Sequence, residues 1–321
     1  MGRQSTIACA VCAFAVSMCI LLLLIVRSHV GQRSPTTLPV PSQAGPAVER
    51  IDCELVIFAL SSRTNFGHRN ATRQTWAANI PPGVLLRFVV GKPCLIARDQ
   101  RSRPALDCEP INPNKPDDPA LIREEELLQE QLVEENRHFN DMLLLEVLDV
   151  YIALPNKLIH ALSWGYESTS AKFFMKTDDD VYMDLARILT LKLGDPSQIG
   201  FVGGSFGPGL QPDRDPKGKW YQSPSGPRGW IFSNYAEFPH GQCYFVTRGL
   251  AALLSRVKDD VRVLQGEDVS MGMWNYMFRG NVTSIPQLLP GCDGWVQHLW
   301  SSTGHYQHHT NFLKCGRPCG C

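Results

Sequence analysis

The sequence predicts an α/β layered fold set behind an apolar N-terminal span. Three observations carry that expectation. Short apolar runs of strand length alternate with longer stretches at helical spacing, the pattern of helices packed on a sheet. Hydrophobic residues make up 44% of the 321, ample for a sizeable core. Ahead of both, residues 7–26 read IACAVCAFAVSMCILLLLIV without a single charge.

That first run is as long as a bilayer-crossing helix, which needs about 20 residues. A cleaved signal peptide is the alternative. Its apolar region is shorter, roughly 7–15 residues, and VRSHVGQ after the run offers a poor cleavage site. A retained anchor over 7–26 behind a short tail over 1–6 is therefore expected. Arg3 and the α-amino group face Arg27 and Arg33 across the span, so the flanking charges do not set its orientation. Residues 27–50 carry Pro35, Pro39, Pro41 and Pro46 with little bulky apolar content and read as a semi-extended stem. A globular domain is expected over 51–321.

Within it, ELVIFAL (54–60) and VLLRFVVG (84–91) read as strands, with a helix between them over HRNATRQTWAAN. RSRPALDCEPINPNKPDDP is a proline-laden loop. The alternation of acidic and apolar residues over 124–149 predicts a helix, and LPNKLIHALSWGYE predicts a second one after Pro155. KFFMK (172–176) reads as a buried strand, LARILTLKL as a helix, and VSMGMWNYMF as another.

Lys plus Arg equals Asp plus Glu at 31 each, with no dense basic run, which argues against nucleic acid as a partner. Three of the 11 cysteines, Cys9, Cys12 and Cys19, lie in the apolar span. The other eight are dispersed, an even number that suits disulfides in an oxidising lumen. The tail CGRPCGC lacks a partner pair with zinc-finger spacing. The triplets at Asn70 (NAT) and Asn281 (NVT) are glycosylation acceptors in that compartment.

Two acidic constellations point to chemistry. Asp178, Asp179 and Asp180 follow KFFMK directly, where a strand ends. Neighbouring unit charges repel by ~1 kcal/mol in water and ~4 kcal/mol near a protein surface. An open surface turn tolerates this; a cleft tolerates it mainly when a cation shares the site. Ligands of α/β folds collect outside C-terminal strand ends. In extended chain Asp178 and Asp180 point the same way, roughly 6.6 Å apart along the backbone, and hard oxygen ligands suit Mg²⁺ or Mn²⁺. The second constellation is LQGEDVSMGMW, where Glu267 and Asp268 follow Gly266 at a helix start. Acids there cap a helix and meet its dipole; an Asp facing a cleft can equally serve as a general base.

Taken together, these residues resemble the β-1,3-galactosyltransferase / β-1,3-N-acetylhexosaminyltransferase family. KFFMKTDDDVYM is similar to its metal-binding strand end, and HRNATRQTW to its R-x-T-W segment through Arg69, Arg73, Thr75 and Trp76. Asp149, Tyr151, Leu154, Lys157 and Trp164 match its D-x-Y-x-N-L-T-x-K helix entry, although Leu154-Pro155-Asn156 replaces the usual N-L-T. KWYQS, YAEFPHGQCYFVT and EDVSMGMW resemble further segments, so the likeness runs from about residue 54 to 275. EDVSMGMW with the terminal CGRPCGC is most similar to the type 2 β-1,3-N-acetylgalactosaminyltransferases.

The resemblance implies a GT-A-like nucleotide-sugar-binding fold with a mixed central sheet flanked by helices. It also implies an inverting, UDP-sugar-dependent hexosyltransferase that uses Mn²⁺ or another divalent cation and acts on a glycan acceptor. By the same resemblance Asp180 is the direct metal ligand and His298 completes the site, with His305, His308 and His309 as rivals. Asp178, Asp179, Arg69 and Arg73 would contact the donor. Asp268 matches the family's base, while Glu267, Trp220 and Tyr221 would hold the acceptor. Lys157 and Lys176 are expected to hold carboxylates rather than to do chemistry. A single-pass type II protein of the Golgi membrane with a lumenal catalytic domain follows, as does the alternative of a non-catalytic, carbohydrate-binding or chaperone-like relative. Whether it forms a homo- or hetero-oligomer is left open.

Overall fold

Strand β1 (Leu55–Leu60) is buried at every position, as a strand covered on both faces must be. In the computed structural model, which describes residues 50–321 apart from 104, 105, 115–117, 293 and 300, it lies inside a seven-stranded sheet. The expected anchor, stem and tail lie outside the described residues, among which no helix is long and apolar enough to cross a membrane. The described residues fall within one compact unit, Glu49–Cys321.

The remaining sheet strands are β2 (Val84–Lys92), β3 (Met142–Leu148), β4 (Phe173–Asp178), β6 (Gly200–Phe206), β7 (Phe238–Thr247) and β8 (Asn281–Ser284), in the order β3-β2-β1-β4-β7-β6-β8. The β3-β2-β1-β4 half is parallel, β7 runs antiparallel to β4 and β6, and β8 is parallel to β6, so the sheet is mixed as expected. A separate antiparallel pair joins β5 (Val181–Met183) to β9 (Val296–His298).

Among the described residues seven α-helices flank these strands: α1 (Phe66–Gln74), α2 (Pro119–Phe139), α3 (Leu154–Ser168), α4 (Leu185–Ile188), α5 (Arg248–Val257), α6 (Glu267–Met277) and α7 (Ser302–Cys315). On one face of the sheet, Leu158 and Leu162 of α3, Leu250 and Leu254 of α5 and Trp274 of α6 pack on Phe58, Phe174 and Val246. Gly165 lets α3 approach closely: a Cβ there would stand 2.7 Å from the Phe174 ring and 2.9 Å from that of Phe58. On the other face, Trp76, Leu132, Tyr182 and Leu185 pack on Ile57, Phe88 and Met175. The result is a three-layer α/β sandwich.

Two expectations are corrected. The helix expected over 124–149 stops at Asn140, whose left-handed backbone (φ 49°) closes α2. Residues 142–148 then form an edge strand, because MLLLEVL alternates its burial and pairs with β2. The helix expected at LARILTLKL lasts only through Ile188. Of the eight dispersed cysteines six pair, as Cys94–Cys108, Cys292–Cys319 and Cys315–Cys321, while Cys53 and Cys243 are buried thiols. The terminal cysteines thus fasten the end of α7.

Candidate active site

Parallel pairing sets Leu60 of β1 beside Asp178 of β4, so both strands end at one edge. The chain leaving β1 supplies Ser61, Ser62 and Asn65 there, and the chain leaving β4 supplies the three aspartates. These residues line a cavity of about 920 Å³, which the N-terminus of α6 closes with Glu267 and Asp268. The position outside the C-terminal strand ends is the one the sequence predicts.

The three aspartates have different surroundings. Asp179 is buried; its carboxylate accepts from the Ser61 hydroxyl (2.5 Å) and the Asn65 amide (3.0 Å), tying the β1 loop to β4. Asp178 accepts from the Lys176 ammonium at 2.8 Å. Asp180 lies next to His298, Oδ2 to Nε2 3.2 Å, because β5 pairs with β9 in the register Val181 to His298. Burial opposes charge on Asp180, but the hydrogen bond from His298 outweighs it and holds the carboxyl below the usual range. The same bond pushes His298 up. The rival histidines lie on α7. His305 is fully buried, with Nε2 2.9 Å from the Asp179 carbonyl, His309 meets the Tyr182 hydroxyl at 3.2 Å, and His308 meets the Gly304 carbonyl.

Asp180 Oδ1 is buried and has no hydrogen-bond partner. An orphaned carboxylate oxygen beside an imidazole is a donor set that fits a divalent cation of the Mn²⁺ kind. Among the described residues no third His, Cys, Asp or Glu joins them in a metal-holding group. Remaining ligands would have to come from water or substrate, as is usual where a metal carries phosphates.

Lys176 is buried and connects the two acidic constellations: its ammonium donates to Asp178, to Glu267 Oε1 (2.7 Å) and to the Gly241 carbonyl. Burial would push Lys176 down, but the two carboxylates hold it above its ordinary value. Lys157 does the same nearby, joining Asp149 (2.8 Å) to the Ser61 carbonyl. Both lysines hold carboxylates, as the sequence predicts.

Asp268 sits in the first turn of α6, and its Oδ1 accepts from the Val269 amide at 2.7 Å. Gly266 lies close to this carboxyl: a Cβ there would stand 2.5 Å from that oxygen. Loss of water on burial, reinforced by the Glu267 charge, pushes Asp268 up to about 7. The carboxyl thus satisfies one amide of the helix's first turn while its side chain lines the cavity.

Trp220 lines the cavity and is 65% exposed, with Lys219 over its ring; Tyr221, its expected companion, does not line it. Arg69 and Arg73 do not reach the cavity either. Arg69 is buried against Glu135 (2.7 Å), and Arg73 pairs with Glu135 and Asp141, fastening α1 to α2 and the start of β3. Asn70 is exposed on α1 and Asn281 is exposed at the start of β8. Sequence reasoning gave no site role to Arg98, Arg101, Tyr151, Lys219, Tyr235 and His240, all of which line the cavity, although the last four lie in segments that resemble the family's.

The galactosyltransferase family profile matches residues 121–281, from α2 to the start of β8, and so spans both acidic constellations. The chain belongs to the galactosyltransferase family. Among its relatives, β-1,3-galactosyltransferase GALT1 of Arabidopsis thaliana is 28% identical over 226 residues, covering 69% of this chain and 30% of its own. Human UDP-GalNAc:beta-1,3-N-acetylgalactosaminyltransferase 2 is 34% identical over 214 residues, covering 62% of this chain and 39% of its own. The chain thus spans well under half the length of these relatives. Of solved structures, mouse xyloside xylosyltransferase 1 overlies 75% of this chain with a TM-score of 0.30 and 8% identity, a likeness too slight to carry an argument.

Proposed function

We propose that this galactosyltransferase-family chain is an inverting β-1,3-glycosyltransferase with a GT-A-like catalytic domain. It would move galactose or an N-acetylhexosamine from a UDP-sugar to a glycan hydroxyl, in protein or lipid glycosylation. Its place would be the Golgi membrane, held by the apolar span at 7–26 as a single-pass type II protein. The observation that carries the reading is one cavity with Asp180 and His298 on one wall and Asp268, tuned to about 7, on another.

Inversion needs a base on the acceptor side, opposite the leaving group. Asp268 suits that role, because the Val269 amide fixes one oxygen and its shifted pKa is near the operating pH. Glu267, neutralised by Lys176, would help orient the acceptor, and Trp220 would stack on a sugar face. Asp180 and His298 would hold Mn²⁺ or a similar cation, which when bound neutralises charge on the departing diphosphate. Asp178, clamped by Lys176, would meet the donor between them.

The test is a donor screen on the full-length protein in detergent with Mn²⁺, offering UDP-galactose, UDP-GalNAc and UDP-GlcNAc with and without a panel of glycan acceptors. Acceptor-dependent release of UDP is expected for one of them. No turnover of any donor, with UDP still bound, would favour the non-catalytic alternative.

A further inference from the structure

Beyond β2 the chain runs into an arm closed by the Cys94–Cys108 disulfide. The arm is fixed at several points: Arg101 bridges to Pro110, Ile152 N–H donates to the Leu106 carbonyl (2.9 Å), and Arg103 donates to the Gly218 carbonyl (2.9 Å). From it Arg98 and Arg101 line the cavity. Among the described residues neither has a carboxylate within ion-pair distance. Arg101 donates only to the carbonyls of Ile96 (2.6 Å) and Cys94 (3.3 Å), and no acceptor among those residues meets the Arg98 side chain. Burial, and then the neighbouring Arg98 charge, push Arg101 down. Both guanidiniums thus face a cavity that is also lined by Asp178, Asp180, Glu267 and Asp268.

We propose that Arg98 and Arg101, held by the disulfide-closed arm, grip the diphosphate of the sugar-nucleotide donor. The inference rests on the function proposed above and adds residues to it. Position favours the donor over the acceptor. The arm follows β2 in the parallel half of the sheet, beside Ser61, Ser62 and Asn65 after β1, and nucleotides bind outside the C-terminal ends of such strands. Asp268 and Trp220, the acceptor groups, follow β7 or precede it. Chemistry agrees: a guanidinium fork matches two phosphate oxygens, and among the described residues neither guanidinium is paired with a carboxylate. Arg69 and Arg73, the donor-binding cations expected from the sequence, are spent on Glu135 and Asp141.

The experiment measures binding of UDP and of uridine, in Mn²⁺, to the full-length protein and to Arg98→Ala, Arg101→Ala and Cys94→Ser/Cys108→Ser. Arg98→Ala is the cleanest variant, because that side chain holds no loop carbonyl. Each arginine variant should weaken UDP by roughly tenfold, as loss of a charge-assisted bond does, and leave uridine, which has no phosphate, unchanged. The weakened variants should also show a shallower fall of UDP affinity with salt. Opening the disulfide should move UDP in the same direction. Unchanged UDP affinity in Arg98→Ala overturns the proposal, and so does an equal loss for UDP and uridine, which would mean a change of shape. A wild-type protein that binds neither ligand overturns the function proposed above and this inference with it.

Discussion

Lys176 Nζ stands 2.7 Å from Glu267 Oε1, joining the strand that ends in three aspartates to the helix that begins with Asp268. The two acidic segments are 91 residues apart in sequence at this contact. One buried cation makes them a single electrostatic unit.

Replacing it tests that unit. Lys176→Met keeps most of the volume but leaves Glu267 and Asp178 without their cation. Removing one partner from a buried ion pair costs ~3–5 kcal/mol, and that loss is expected in urea unfolding at pH 7. Because the cost comes from stranded carboxylates, it should shrink as pH falls and they take up protons. A pH-independent loss would point to packing instead.

How much of the molecule was legible in its sequence depends on distance along the chain. β1, β4, α3 and α6 announce themselves by local pattern, and the aspartates at the end of β4 mark the cavity. The edge strand β3 was hidden because MLLLEVL continues the acidic-apolar rhythm of α2, and only Asn140 and the pairing with β2 separate them. Strand β6, GFVGGSF, is glycine-rich and carries no alternation. The roles of Arg69 and Arg73 were illegible for another reason: their partner Glu135 lies more than 60 residues on, and only the fold brings it near. The surplus of acids over 124–135 was the one available signal. His298 reached Asp180 through a three-residue strand too short to recognise.

Asp268→Asn separates base chemistry from helix capping. Asparagine caps about as well as aspartate, so the fold and UDP affinity should persist, while transfer should drop by at least about a hundredfold. In the wild type the base works only when ionised. With Asp268 pushed up to about 7, the rate should climb with pH through about 7 rather than near 4. The sign for stability is opposite. A raised carboxyl pKa costs nothing below the ordinary aspartate value, and the cost grows as pH rises towards 7. The asparagine variant should therefore be at least as stable as the wild type at pH 8 in thermal unfolding.

His305 sets an acid limit. It is fully buried behind Asp179, whose carbonyl can only accept, so Nε2 carries the hydrogen. Burial pushes it down to about 4, against ~6.5 for a free imidazole. Its stabilising contribution is complete above pH 6.5 and is lost as pH falls towards 4, by about 3 kcal/mol at most. His305→Gln keeps a donor for the carbonyl without the titration. Urea unfolding should show a shallower pH dependence between 4 and 6.5 in that variant; identical slopes would acquit His305.

The metal reading rests on Asp180 Oδ1, the orphaned oxygen, and on His298 beside it. Chelation should abolish transfer, and Mn²⁺ should restore it. Binding gives the more direct measure, because it does not depend on a correct acceptor. UDP affinity in wild type should rise when Mn²⁺ is added, and Mn²⁺ alone should raise the melting temperature, since a ligand that binds only the folded state stabilises it. Asp180→Ala should lose both responses. His298→Ala should keep a weaker version of each, for Asp180 still offers a hard oxygen, which Mn²⁺ prefers to nitrogen. If UDP affinity in the wild type ignored Mn²⁺, the Asp180–His298 pair would be an ordinary hydrogen bond, and diphosphate departure would fall to cations of the protein itself.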